Sequence, residues 1–155
     1  QWNTPGGKAR FLIARGLDED PPLATEAGPL FTLATVRSHD QYNTTIYGLN
    51  DRYRGIKGRR DVVFVNAEDL KAIGLGEGDR IDVHACSATG LPNGRVVRGF
   101  VAVAFEIARE SVAMYYPEGN GLLALDEHDR HSGTPGYKSI PVRLSPSRRE
   151  AVHEA

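Results

Sequence analysis

The chain has 155 residues, 40% of them hydrophobic and 25% charged, with a formal net charge of -1 and a single cysteine, Cys86. That length suits one domain with a real core, and the near-zero charge sets aside a general nucleic-acid or membrane-surface binder. One cysteine excludes a disulfide framework and any cysteine-held cluster within the chain, and no apolar run is long enough for a membrane span.

Residues 1–29 read as a lead-in segment and linker: a turn at Pro5, Gly6 and Gly7, a short apolar run to Ile13, then an acidic, proline-rich stretch over 17–29. Residues 30–36 read as a buried strand ending at Arg37. The following residues, up to Gly48, carry an arginine, a histidine, amides, tyrosines and threonines, where a plain connection would favour Gly, Pro, Asp and Ser. Arginine offers phosphate a planar fork of donors, and amides and hydroxyls read ring edges in either sense. The mixture suits a large polar ligand with phosphates and a heterocycle; the competing reading is a solvated loop.

A basic stretch follows, with Arg52, Arg54, Lys57, Arg59 and Arg60. It is too short to imply nucleic acid; it is expected to approach a pyrophosphate or an acidic surface. Residues 61–65 are a strand by β-branched content. Residues 66–74 are a short helix, capped by Asn66, with Glu68 and Asp69 in its first turn and Gly74 as a left-handed stop. A turn at 76–79 leads into a strand over 80–85, where Ile81, Val83 and Ala85 alternate with polar residues. Asn93-Gly94 predicts a turn before a long run over 96–107. Strands over 112–116 and 139–144 flank a long loop, 117–137, of the kind that is functional or disordered. Residues 145–155 form a polar tail.

Many short strands with few short helices predict a mainly β fold, a closed or nearly closed barrel. The absence of an initiator Met and of a signal peptide predicts a fragment of a longer protein. Low cysteine use points to a cytoplasmic setting.

Four motifs in order carry a resemblance: Thr-x-Arg at the end of the first strand, with the Gln-Tyr-Asn-Thr-Thr loop from Gln41; the strand-helix-Gly-Asp unit over 62–79; Asn120-Gly-Leu; and Ser-Gly-Thr-Pro-Gly-Tyr-Lys ending at Lys138. From residue 30 to 144 the chain resembles the C-terminal molybdopterin-dinucleotide-binding domain of the dimethyl sulfoxide reductase superfamily. Within it the chain looks most like formate-dehydrogenase-like alpha subunits. The resemblance implies a double-psi β-barrel. It also implies molybdopterin guanine dinucleotide, in the bis form around molybdenum or tungsten, shared with the remaining domains of a parent oxidoreductase. An electron-transfer subunit is a further implied partner.

By the same resemblance Arg37, Ser38, Gln41, Tyr42, Asn43, Thr44, Asn120, Tyr137 and Lys138 are expected to contact the cofactor, with no catalytic residue and no metal ligand in this segment. The domain then acts as a lid, not as a catalyst by itself. Plainer readings stand beside these: Arg37 as a partner of Asp40 or Asp61, Asn120 as a left-handed turn residue, Lys138 as a solvated lysine. His39 and Asp40 depart from the family pattern. Asn66 reads as a helix cap rather than a guanine contact. Gly6-Gly7-Lys8 lacks the spacing of a phosphate loop. The cluster from Asp126 to His131 is read as solvated charge, Cys86 as a small core residue, and Asp82, His84 and Ser87 as no triad. A non-enzymatic double-psi barrel for partner or substrate recognition is the alternative; it has no reason to keep the loop after Arg37 or the Tyr137-Lys138 pair.

Overall fold

Four consecutive residues, Val62, Val63, Phe64 and Val65, are wholly buried. A strand points successive side chains to opposite faces, so this one has apolar layers on both sides. Val63 and Val65 face one cluster with Leu33, Ile81, Val83 and Met114; Val62 and Phe64 face another with Ala113 and Tyr115. Each such side chain contributes roughly 1.5–3 kcal/mol by leaving water.

The chain is described by a computed structural model covering residues 3–9, 28–87, 89–129 and 131–147. The apolar run expected to reach Ile13, the acidic stretch as far as residue 27 and the tail beyond 147 lie outside the described residues. The elements are β1 Phe31–Val36, β2 Asn50–Asp51, β3 Ile56–Lys57, β4 Val62–Val65, α1 Ala67–Ala72, β5 Arg80–Cys86, β6 Pro92–Ala104, β7 Ser111–Tyr115 and β8 Ile140–Pro146. Six strands close a barrel in the order β1-β7-β4-β6-β5-β8, while β2 and β3 pair apart. Two neighbours, β1 with β7 and β4 with β6, run parallel; the other pairs are antiparallel. This is the mainly β, double-psi barrel architecture. Within the barrel, closure leaves no edge strand exposed for stray pairing.

The helix forms where its caps are. Asn66 Oδ1 accepts from the Glu68 amide at 2.9 Å, and its Nδ2 donates to the Ile107 carbonyl at 2.8 Å. Asn66→Ala loses both; the expected cost is about 1–2 kcal/mol of unfolding free energy in a denaturant titration. Asp69 does more than face the helix dipole. It is buried and accepts from Arg109 and from the Glu110 amide, fixing the corner before β7.

The expected turn at Asn93-Gly94 is not where the chain reverses. The reversal lies between the end of β5 and the start of β6, where the Ser87 amide donates to Leu91 O at 2.8 Å. Asn93 and Gly94 lie inside β6, which begins at Pro92 and ends at Ala104 rather than spanning 96–107. Gly94 takes φ +87°, and Asn93 Oδ1 accepts from the Arg95 amide at 3.1 Å. The pair thus makes a bulge, visible as a register shift between His84 and Cys86 on β5. The same local chemistry serves a bulge or a turn, and pairing with a continuous β5 decides which.

Candidate functional site

The parallel pairing of β1 with β7 sets Val36 against Tyr115, so both strands end at one place. There the Tyr116 amide donates to Val36 O at 2.8 Å. On the other side β8 runs antiparallel to β1, and residues just before it fold along the end of β1: the Thr35 amide donates to Tyr137 O at 2.9 Å. The result is a cleft of about 250 Å³ lined by Thr35, Val36, Arg37, Asn43, Tyr116, Tyr137 and Lys138. Tyr116 and Tyr137 meet edge to face, with ring centroids 6.4 Å apart.

Four of the nine expected site residues, Arg37, Asn43, Tyr137 and Lys138, therefore share one cleft although about a hundred residues separate them in sequence. Arg37 donates to Asn43 Oδ1, and Lys138 Nζ donates to Thr35 O. Both partners are neutral, and among the described residues neither cation has an acidic partner. The plainer alternative, a pairing of Arg37 with Asp40 or Asp61, does not occur. Asp40 faces His39 and Arg52, and Asp61 holds Arg59 and Arg80. Burial first, and the nearby Arg37 second, hold the Lys138 amine below its ordinary value of 10.5.

Ser38 and Gln41 lie behind the cleft instead of lining it. Both are buried. Gln41 Oε1 accepts from the Ser38 amide at 3.1 Å, while its Nε2 donates to Thr44 O and Tyr116 O, both at 2.9 Å. Thr44 uses its hydroxyl to accept from the Ile46 amide at 3.1 Å. Tyr42 is 82% exposed. Asn120 sits on a 3-10 turn, Glu118–Leu122, and does not line the cleft. The left-handed reading of Asn120 is incorrect: among the described non-glycine residues only Asp40 and Glu110 have positive φ. The turn packs close to the barrel because position 119 has no side chain; a Cβ there would lie 3.2 Å from Thr35 Cγ2 and 3.4 Å from Met114 Cβ. Asn120 Oδ1 is buried with no hydrogen-bond partner in the protein. Such an orphaned acceptor is rare in a finished core.

The residues that sequence reading left out of the site are Thr35, Val36 and Tyr116 in the cleft and the network beneath it. Arg60, read as part of a basic run approaching a pyrophosphate or an acidic surface, is 6% exposed. It bonds Ser38, Gln41, Tyr116 O and Glu118, and its guanidinium lies 3.6 Å from the Tyr47 ring centroid and 4.6 Å from that of Tyr115. Arg54 donates to Arg37 O at 3.1 Å and to Asp51 at 2.8 Å. The only hint in the sequence was the density of arginines after an acidic Asp51.

Two other clusters are accounted for locally. Asp129 Oδ1 accepts from the His131 and Ser132 amides, closing a turn, and among the described residues no three His, Cys, Asp or Glu side chains converge on a metal-sized site. His84 Nε2 lies 2.9 Å from Ser145 Oγ, but Asp82 is committed to Arg98 and the Gly99 amide, so no relay forms. Cys86 is buried, and burial raises its thiol above the ordinary value. Among the described residues no helix is long and apolar enough to cross a membrane.

Protein YdeP of Escherichia coli is 48% identical over 147 residues, covering 95% of this chain and 19% of that protein. An uncharacterized oxidoreductase of Mycobacterium tuberculosis is 43% identical over 151 residues, 95% of this chain and 18% of that protein. The chain thus spans about a fifth of the length of the curated relatives it matches. Acetylene hydratase from Pelobacter acetylenicus shares the fold, with a TM-score of 0.51, 14% identity, 75% of this chain and 18% of that chain. Residues 31–141 match the family described as Molydopterin dinucleotide binding domain. A closed barrel with a cation-lined cleft at the end of β1, matched across most of its length, belongs to the molybdopterin dinucleotide binding domain family of the dimethyl sulfoxide reductase superfamily.

Proposed function

We propose that this chain is the C-terminal domain of a larger, cytoplasmic molybdenum or tungsten oxidoreductase of formate-dehydrogenase-like type, and that it closes over molybdopterin guanine dinucleotide in the bis form. The observation that carries the reading is the Arg37–Lys138 pair, two cations in one cleft with no carboxylate among the described residues to offset them. Like charges placed side by side cost free energy unless an anion joins them. A pyrophosphate is the group in this cofactor that would do so. Arg37 would hold its oxygens with a planar fork, and Lys138 would meet it as a point charge.

The remaining chain groups fit the same ligand. Asn43 and Tyr137 supply amide and hydroxyl contacts beside the cations, Tyr42 and Thr44 lie on the loop that would wrap it, and Ser38 and Gln41 keep that loop in place. The unpartnered Asn120 Oδ1 suits an N–H donor such as a pterin ring provides. When bound, the cofactor supplies the redox centre; this domain excludes water and offsets charge around it. The other domains of the parent, and an electron-transfer subunit, would complete the enzyme. A partner-recognition barrel offers no account of two cations sharing a cleft with no acidic partner among the described residues.

The test is metal and GMP released by acid from the purified full-length protein. Wild type is expected to yield molybdenum or tungsten together with GMP, and Arg37→Ala is expected to yield less of both. A folded full-length protein without either, from a host that makes the cofactor, would sink the reading.

The Lys138 shift adds a pH signature. An amine held below 10.5 binds fewer protons folded than unfolded in the window just beneath that value. Stability of the ligand-free domain therefore rises with pH through the window and falls as Lys138 charges beside Arg37. An anion restores the charged form. Pyrophosphate added to the ligand-free full-length protein at alkaline pH is expected to take up protons, measured by calorimetry in buffers of different ionisation enthalpy. Heat that does not depend on the buffer would count against Lys138 as the anion's partner.

A further inference from the structure

We propose that Arg60 is the positioning residue of the cleft, holding its two walls in register without touching the ligand; the proposal rests on the dinucleotide reading above. The walls come from distant parts of the chain. One is the loop after β1, which carries Arg37 and Asn43. The other is the segment after β7, which carries Tyr116 and meets Tyr137. A single buried guanidinium reaches both. On the first wall Arg60 Nη1 donates to Ser38 Oγ at 2.6 Å and Nη2 to Gln41 Oε1 at 3.1 Å. On the second, Nη2 donates to Tyr116 O at 2.6 Å, while Nε and Nη2 reach the two carboxylate oxygens of Glu118 at 2.6 and 3.1 Å. Tyr47 and Tyr115 stack against it.

The positions of these contacts matter more than their number. Ser38 directly follows Arg37, Gln41 is two residues before Asn43, and Tyr116 itself lines the cleft. Any tilt of Arg60 therefore moves cleft-lining atoms on both walls. Its charge does not serve the ligand, because Glu118 pairs with it at 2.6 Å, with the two side chains 5% and 19% exposed. Arg37 and Lys138 remain the cations available to an anion. Arg60 acts through geometry, which requires the planar fork; a lysine could satisfy Glu118 but not four partners in two directions.

The test uses the full-length protein as wild type, Arg60→Lys and Ser38→Ala, with Arg37→Ala as reference. Two quantities are read: GMP released per folded protein, and the rate of chymotryptic cleavage at the exposed Tyr42 in the loop after β1. Arg60→Lys is expected to lower GMP at least tenfold, although Arg37 and Lys138 remain, and to speed cleavage of the loop. Ser38→Ala is expected to shift both in the same direction by a few fold. If the lysine variant retains wild-type GMP and cleavage, charge balance with Glu118 was the whole role and the proposal falls. If that variant fails to fold, Ser38→Ala decides: unchanged GMP and cleavage overturn the proposal, and loss with faster cleavage sustains it. Should Arg37→Ala keep wild-type GMP, the dinucleotide reading itself fails. Loop cleavage then judges the positioning role alone, faster cleavage sustaining it and unchanged cleavage overturning it.

Discussion

Replacing Lys138 by Met in the full-length protein is expected to weaken dinucleotide retention about 10- to 100-fold while leaving the ligand-free fold as stable as before or more so. The first half follows from losing the charge-assisted contact to phosphate proposed for Lys138, worth about 1.5–3 kcal/mol. The second half follows from the apo cleft. Burial and the neighbouring Arg37 already push the Lys138 amine toward its neutral form, so the charged lysine is a liability there. Met keeps the apolar stem and removes the charge; what it gives up is one bond to the Thr35 carbonyl. Opposite movement of the two readouts separates a ligand residue from a structural one. GMP content and thermal unfolding of ligand-free protein measure them, and a parallel fall in both would count against the assignment.

Asp51→Ala is expected to destabilise the fold by about 3 kcal/mol. Asp51 is 3% exposed and accepts from Tyr115 Oη at 2.7 Å, Arg54 at 2.8 Å and the Tyr53 amide at 3.0 Å. Removing it leaves a phenol and a guanidinium inside the fold without their acceptor. Burial alone would raise the Asp51 carboxyl, but the hydrogen bonds from Tyr115 and Arg54 outweigh it and hold the group below its ordinary 3.8. A depressed carboxylate contributes stability that is complete above 3.8 and lost as pH falls through the folded value. The difference between wild type and variant is thus expected to be full at neutral pH and to close in acid. Denaturant unfolding at several pH values checks this, and a gap that widened in acid would contradict it. The variant should also loosen the cleft, since Arg54 binds the Arg37 carbonyl as well as Asp51.

The legible parts of the fold were those with local causes. The strand at 62–65 announced itself by four apolar residues, three of them β-branched, and Asn66 announced the helix by cap chemistry. Ile81, Val83 and Ala85 lie in the core as their alternation predicts. Asp82, on the other face, is also buried, because Arg98 and the Gly99 amide satisfy it there. A period of two shows which residues share a face; it does not show whether the other face will be covered. Asn93-Gly94 misled for a related reason, since its turn chemistry is satisfied equally well as a bulge inside a long strand.

The amino-acid sequence by itself determined the β-rich class, the capped helix, the order of family motifs and the residue types that meet phosphate and rings. These depend on neighbours a few positions apart. Only the tertiary structure decided which of those residues meet. Arg37 and Lys138 become neighbours because β8 pairs antiparallel with β1 and the residues before β8 run along its end, a consequence of barrel closure with no local signature. Arg60 is buried while Arg52 and Arg59, from the same basic run, remain exposed or half-exposed. The difference is that Ser38 and Tyr47 from the loop after β1, and Tyr115 and Glu118 from the end of β7 and the turn after it, surround one guanidinium and not the others. Burying a charge is favourable only when its partners are already in place, and the partners' places are set by the closed barrel.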